Sequence, residues 1–115
     1  MMAIDLATRR VQWTHRQNAP LASSLLATAG GVVFMGDLAR NFGAYDQVSG
    51  ARLWNTQLPA AAESTPVTYA VGDRQFVAVV SGEGSHLGTQ NRRLDSSLAT
   101  PKRDIAVVVF ALPAN

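Results

Sequence analysis

The chain has 115 residues, of which 47% are hydrophobic and 16% charged, with a net charge of +2 and no cysteine. One small domain with a core is affordable at that length, and wholesale disorder is excluded. The charge excess is spread without a dense Lys/Arg block, which speaks against nucleic-acid binding, and the missing cysteines exclude disulfides, thiolate metal sites and a cysteine nucleophile.

Helix signals are poor and strand signals recur along the whole chain. Short β-branched and aromatic runs, cut by Gly, Pro, Asn and Asp, predict strands at about 3–6, 11–16, 24–29, 32–36, 41–46, 52–57, 65–71, 74–81 and 105–112. Gly30-Gly31, Ser49-Gly50 and Gly72-Asp73 supply the positive φ that tight hairpins need. "NAPLAS" and "LPAAAES" read as Pro-containing connectors between groups of strands. No N-terminal stretch has the charged and apolar regions of a signal peptide, and the longest apolar runs are too short to span a bilayer.

The strands repeat. "AIDLATRRVQW" and "AYDQVSGARLW" share a frame, with Ala3 and Ala44, Asp5 and Asp46, and Trp13 and Trp54 each 41 positions apart. A period of roughly 40–45 residues with four short strands is that of a propeller blade. The expected fold class is therefore all-β: a partial β-propeller of about two four-stranded antiparallel blades. Residues 1–16 supply the last two strands of one blade, 23–58 a full blade, and 64–113 a blade lacking its fourth strand. In that last unit "FALP" takes the place of "GAYD", but Ala111 follows Ala44 by 67 positions, 26 more than the repeat. The excess falls in residues 83–104, a polar stretch read as a disordered or solvent-exposed cover rather than a ligand-contacting loop.

The repeated residues suit structural work. The Asp side chain can accept hydrogen bonds from the turn that follows, Gly50 relaxes that turn, and Ala leaves room for an indole bridging neighbouring blades. In the first copy Arg9 stands where Gly50 stands, so a positive φ there would be strained. His15 and His86 have no metal-ligand spacing, and His15 is expected exposed at a strand end. "SGEGS" precedes no helix and is no phosphate loop. Asp37, Arg40 and Asn41 read as a solvated hairpin tip. Ser64 and Thr65 begin an inner strand.

The Ala-x-Asp-x-x-x-Gly-x-x-x-Trp frame resembles the tryptophan-docking motif of quinoprotein dehydrogenases, which use pyrroloquinoline quinone (PQQ). "LLATAGGVVFMGDLARNFGAYDQVSGARLW" and "TPVTYAVGDRQFVAVVSGEGS" followed by "VVVFALP" resemble, in order, the C-terminal blades of that family. The resemblance implies a share of an eight-bladed propeller with the quinone on its axis beside calcium or a lanthanide. It implies periplasmic oxidation of alcohols or sugars. The family's metal ligands, catalytic aspartate and quinone-stacking tryptophan have no counterpart in this sequence, so PQQ is implied by resemblance alone. On the same ground Ser64 and Thr65 would lie near the axis as cofactor-side candidates. The expected partners are the missing blades, or further copies of the chain forming a ring, with residues 11–16 completing a neighbour's last blade. A non-enzymatic propeller module for protein contacts is the competing function.

Overall fold

A computed structural model describes residues 1–82, 89–90, 93, 96–98 and 105–113. Nine strands form in chain order: β1 (Met2–Ile4), β2 (Val11–Thr14), β3 (Leu26–Ala27), β4 (Val32–Gly36), β5 (Asn41–Asp46), β6 (Arg52–Gln57), β7 (Val67–Val71), β8 (Arg74–Ser81) and β9 (Ala106–Ala111). They make three antiparallel sheets in sequential order, β1-β2, β3-β4-β5-β6 and β7-β8-β9. Gly31, Gly50 and Gly72 all take positive φ at the tight turns. Within the 83–104 stretch, Thr89, Gln90 and Arg93 have helical backbone and a 3-10 turn covers Ser96–Leu98. The reading of that stretch as a disordered cover, and His86, fall largely outside the described residues.

The two copies of the repeat fold alike. Asp5 N–H donates to Arg10 O and Arg9 N–H to Asp5 O, at 2.9 and 2.7 Å; Asp46 N–H donates to Ala51 O and Gly50 N–H to Asp46 O, at 2.8 and 2.9 Å. Both ladders slip at the same place, between Ala3 and Ile4 and between Ala44 and Tyr45. Ala3 pairs with Trp13 and Ala44 with Trp54, so the small residue lies beside the large ring on one face. In the third sheet Ala111 stands opposite Phe76 as Ala44 stands opposite Phe34.

Alternation sends one face of each sheet toward the next sheet. The main core lies between the second and third sheets: Phe34, Phe42 and Ala44 on one side meet Val77 and Val79 on the other, with Leu58 and Ala62 of the connector. Phe42 stacks on Phe110 with centroids 5.6 Å apart, and Trp54 meets Phe110 edge-on at 4.9 Å. Such offset and T-shaped pairs suit the ring quadrupoles and fix the approach of the sheets.

The connector after β6 is buried rather than looped out. Ala60, Ala61 and Ala62 are fully covered. Their backbone therefore needs partners. Ser81, also fully buried, accepts from Ala60 N–H at 2.8 Å and donates to Ala60 O at 2.9 Å. Gly82 N–H donates to Ala61 O at 3.0 Å, completing the clasp between the second sheet's exit and the third sheet.

Candidate functional site

The site residues named from the sequence fall into two groups. The first is the joint between the first and second sheets. Asp46 Oδ1 accepts from Val48 N–H, Ser49 N–H and the Ser49 hydroxyl at 3.1, 2.6 and 2.7 Å. Asp5 Oδ1 accepts from Thr8 N–H and hydroxyl at 2.6 and 2.9 Å. The Ser49 hydroxyl and backbone hold the Asp46 carboxyl below its usual range, and the Thr8 backbone and hydroxyl do the same for Asp5. Each carboxylate closes the turn that follows it.

Trp13 crosses from β2 to the second sheet. Its indole N–H donates to Gln47 O at 3.0 Å. A Cβ on Gly50 would lie 2.5 Å from Trp13 Cδ2 and 2.6 Å from Cε3. Gly50 thus serves twice: φ of +72° closes its own turn, and its bare Cα is the seat for the ring of the preceding sheet. Arg9 takes φ of +59° at the same turn position, so the strained alternative holds there. Trp54, the second tryptophan, is 40% exposed and rests on Phe110 and Phe42.

Two further readings change at this joint. His15 is half-buried, its ring 4.7 Å from that of Tyr45. Burial, with the N-terminal amine and Arg52 nearby, lowers its pKa, and burial raises that of Tyr45. The sequence suggested exposure because the apolar partner comes from another sheet. Asp37 is only 6% exposed, not a solvated tip. It accepts from Asn41 N–H at 2.9 Å and Asn41 Nδ2 at 2.8 Å, so its charge braces the β4–β5 hairpin.

The second group is the strand start at Ser64 and Thr65. The Ser64 hydroxyl accepts from Val80 N–H at 2.9 Å and donates to Val80 O at 3.2 Å. Ser23, one repeat earlier, treats Gly36 the same way, accepting from its N–H at 2.7 Å and donating to its O at 3.3 Å. The serine therefore has a repeated strand-start role. Thr65 is exposed beside it. Sequence reasoning missed the buried Ser81 clasp, whose signal was a hydroxyl ending the apolar run "FVAVVS".

Three small antiparallel sheets stacked face on face, the second and third each entered by a connector from the sheet before, define part of a β-propeller. The profile described as "Glucose/ethanol/alcohol dehydrogenase, beta-propeller domain", of the PQQ family, matches residues 1–77, and the chain belongs to that family. It is 36% identical over 84 residues to a quinoprotein ethanol dehydrogenase of Pseudomonas aeruginosa, covering 73% of this chain and 14% of that protein. It is 31% identical over 108 residues to a quinoprotein glucose dehydrogenase of Escherichia coli, covering 76% of this chain and again 14% of the relative. Among solved structures, a europium-containing methanol dehydrogenase superposes with a TM-score of 0.69 at 32% identity, over 76% of this chain and 15% of that one. BamB from Moraxella catarrhalis, at 16% identity, TM-score 0.51 and 65% and 24% coverage, shares the fold alone.

PQQ, a flat polycarboxylate quinone, calls for several cations and donors around it. The residues described here do not make up such a site. Ser64 is committed to Val80, which leaves Thr65 as a single exposed hydroxyl at that strand start. Among the described residues no three His, Asp or Glu side chains converge on a point.

Proposed function

We propose that this chain is the C-terminal part of a PQQ-dependent dehydrogenase that oxidises alcohols or sugars in the periplasm, and that it has no turnover by itself. Residues 1–16, 23–58 and 64–113 then form the end of one blade, a whole blade and the first three strands of another. The match of residues 1–77 to the dehydrogenase propeller carries the reading, together with the fact that the matched stretch spans only 14% of the ethanol and glucose dehydrogenases it resembles. When bound, the quinone would accept the two electrons and two protons of an oxidised carbinol. The chain's own residues contribute wall and rigidity: Trp13 on Gly50 and Ser81 on Ala60 lock successive blades, and Thr65 offers one hydroxyl toward the axis. The metal and the catalytic base would come from other blades.

A non-enzymatic contact module is the second reading, since a propeller fold, which BamB shares at 16% identity, does not by itself imply catalysis. Co-expression with a quinoprotein ethanol or glucose dehydrogenase truncated where this chain's match begins tests the proposal. Dye reduction dependent on PQQ, calcium and an alcohol or sugar should require both parts. Turnover by this chain alone with PQQ and calcium would overturn the claim of inactivity. Failure of every such pairing, with both parts soluble, would overturn the dehydrogenase role.

A further inference from the structure

Each sheet has a leading face, turned to the sheet before it, and a trailing face, turned to the one after. Phe34, Phe42 and Ala44 on the second sheet's trailing face cover Val77, Val79, Val108 and Phe110 on the third sheet's leading face. At the two ends of the stack these faces are open. The first sheet's leading face exposes Met2, Ile4 and Val11. The third sheet's trailing face exposes Val67, Tyr69, Val71, Val107 and Val109, with Val71 and Val107 65% and 68% exposed. Register puts Val67 and Val109 in one cross-strand row through Ala78, and Tyr69 beside Phe76, on which it stacks at 5.4 Å. An apolar area of this kind marks a contact surface.

Arg9 narrows what can cover the first sheet. Its turn copies that of Gly50 bond for bond, yet a Cβ at Gly50 would lie within 2.9 Å of three Trp13 ring atoms. Arg9 carries that Cβ, and with it a guanidinium chain. An indole arriving from a preceding sheet as Trp13 arrives at Gly50 would collide with it. The first sheet's open face therefore suits a sheet that brings no indole. Among the described residues the third sheet has none, and its trailing face carries Val67, Tyr69, Val71, Val107 and Val109 with one cation, the Arg74 guanidinium, lying 5.6 Å over the Phe76 ring.

We propose that the first sheet's leading face docks on the third sheet's trailing face of a second copy of this chain, head to tail, continuing the stack seen within one copy. β2 stays in its own copy, because it is already paired with β1 and Trp13 is already seated on Gly50. The contact is heterologous, so it grows into a ring or a longer stack rather than stopping at a two-fold dimer. The inference uses the propeller assignment but not the dehydrogenase reading.

The test is light scattering on the intact chain and on two variants, Ile4→Glu and Val109→Glu, each placing an unpaired charge in one face. The unaltered chain should rise with concentration from 12.2 kDa to at least twice that mass. Each variant alone should lose association by about tenfold or more, the loss expected from about 1.4 kcal/mol. Mixing the two variants should give a species of two copies that grows no further, because each retains the face the other lacks. Circular dichroism checks that both variants stay folded, and Val107→Lys serves in place of Val109→Glu if that variant does not. A chain that stays at 12.2 kDa, or a mixture that stays monomeric, overturns the proposal. A monomeric chain that still restores a truncated dehydrogenase sinks this inference alone; a head-to-tail assembly that restores none sinks the dehydrogenase reading alone.

Discussion

Gly50→Ala tests the joint between the first two sheets. Alanine at φ of +72° costs about 1 kcal/mol in backbone strain. Its Cβ would lie 2.5 Å from Trp13 Cδ2, so the indole must leave its seat. The departing ring gives up its hydrogen bond to Gln47 O, about 1 kcal/mol, and the burial of its flat face, about 1–2 kcal/mol more. The expected loss is about 3–4 kcal/mol in all. Gly31→Ala is the control, because φ there is +78° and no atom lies within 4 Å of the new Cβ. It should cost only about 1 kcal/mol, the backbone share. Urea unfolding followed by circular dichroism gives both values, and tryptophan emission in a Trp54→Phe background reports Trp13 directly. Gly50→Ala should redden that emission and Gly31→Ala should not. Equal losses for the two, with unchanged emission, would refute the seat.

Other sites give separate outcomes. Ser81→Ala strands the buried Ala60 N–H and O together, and should lower stability by about 1–3 kcal/mol in the same unfolding assay. Arg9→Gly relieves a positive φ on a non-glycine residue, and should raise the unfolding free energy by about 0.5–1 kcal/mol while leaving Trp13 emission alone. His15 has its pKa lowered by burial, then by the N-terminal amine and Arg52, so the folded state favours the neutral ring. Its contribution is present above the unfolded histidine pKa, about 6.5, and is lost as pH falls through that value toward the lower folded one. His15→Gln should flatten the stability profile below neutrality, measured by urea midpoints across that range. Asp46 is held low by Ser49, so its contribution is present above the ordinary carboxylate range and lost as pH falls beneath it; Asp46→Asn should remove that acid-side slope.

Local chemistry was legible in the sequence wherever one segment carries its own signal. The nine strands of the described residues lie where alternation and turn residues place them, because turns such as Gly72-Asp73 and Ser49-Gly50 are decided by the residues within them. The 24–29 strand shrinks to Leu26–Ala27 for a local reason as well. Ser23 and Thr28 side chains share the backbone partners at both ends, Thr28 Oγ1 donating to Val32 O at 3.0 Å, which also accepts from Thr28 N–H at 2.9 Å, and accepting from Val32 N–H at 3.3 Å. The relations between sheets were harder to read. The 41-residue period aligns Trp13 with Trp54 and Gly50 with Arg9, which are equivalents and not partners. The contact that matters joins Trp13 of one copy to Gly50 of the next, and a repeat displays equivalence more readily than contact.

That distinction also bears on the candidate cofactor residues. Ser64 gains weight as a ligand only if its hydroxyl is spare, and Ser23 shows that it is not. Both serines, one repeat apart, bond the N–H and O of a single residue on the neighbouring strand. A role that recurs in successive blades at the same position belongs to the blade, whereas an axial ligand in a ring is set by what one blade has and its neighbours lack. At the next position Thr65 stands where the preceding blade has Ser24, and both are exposed. What separates the two blades is instead the Ser81 clasp against the Asp37 brace: two buried polar groups, Ser81 the last residue of β8 and Asp37 the residue after β4, one tied to the incoming connector and the other to its own hairpin. The third sheet is thereby fastened to the second through its entry. Its other side is held by nothing within the described chain, and that is the side on which Val67, Tyr69 and Val109 lie open.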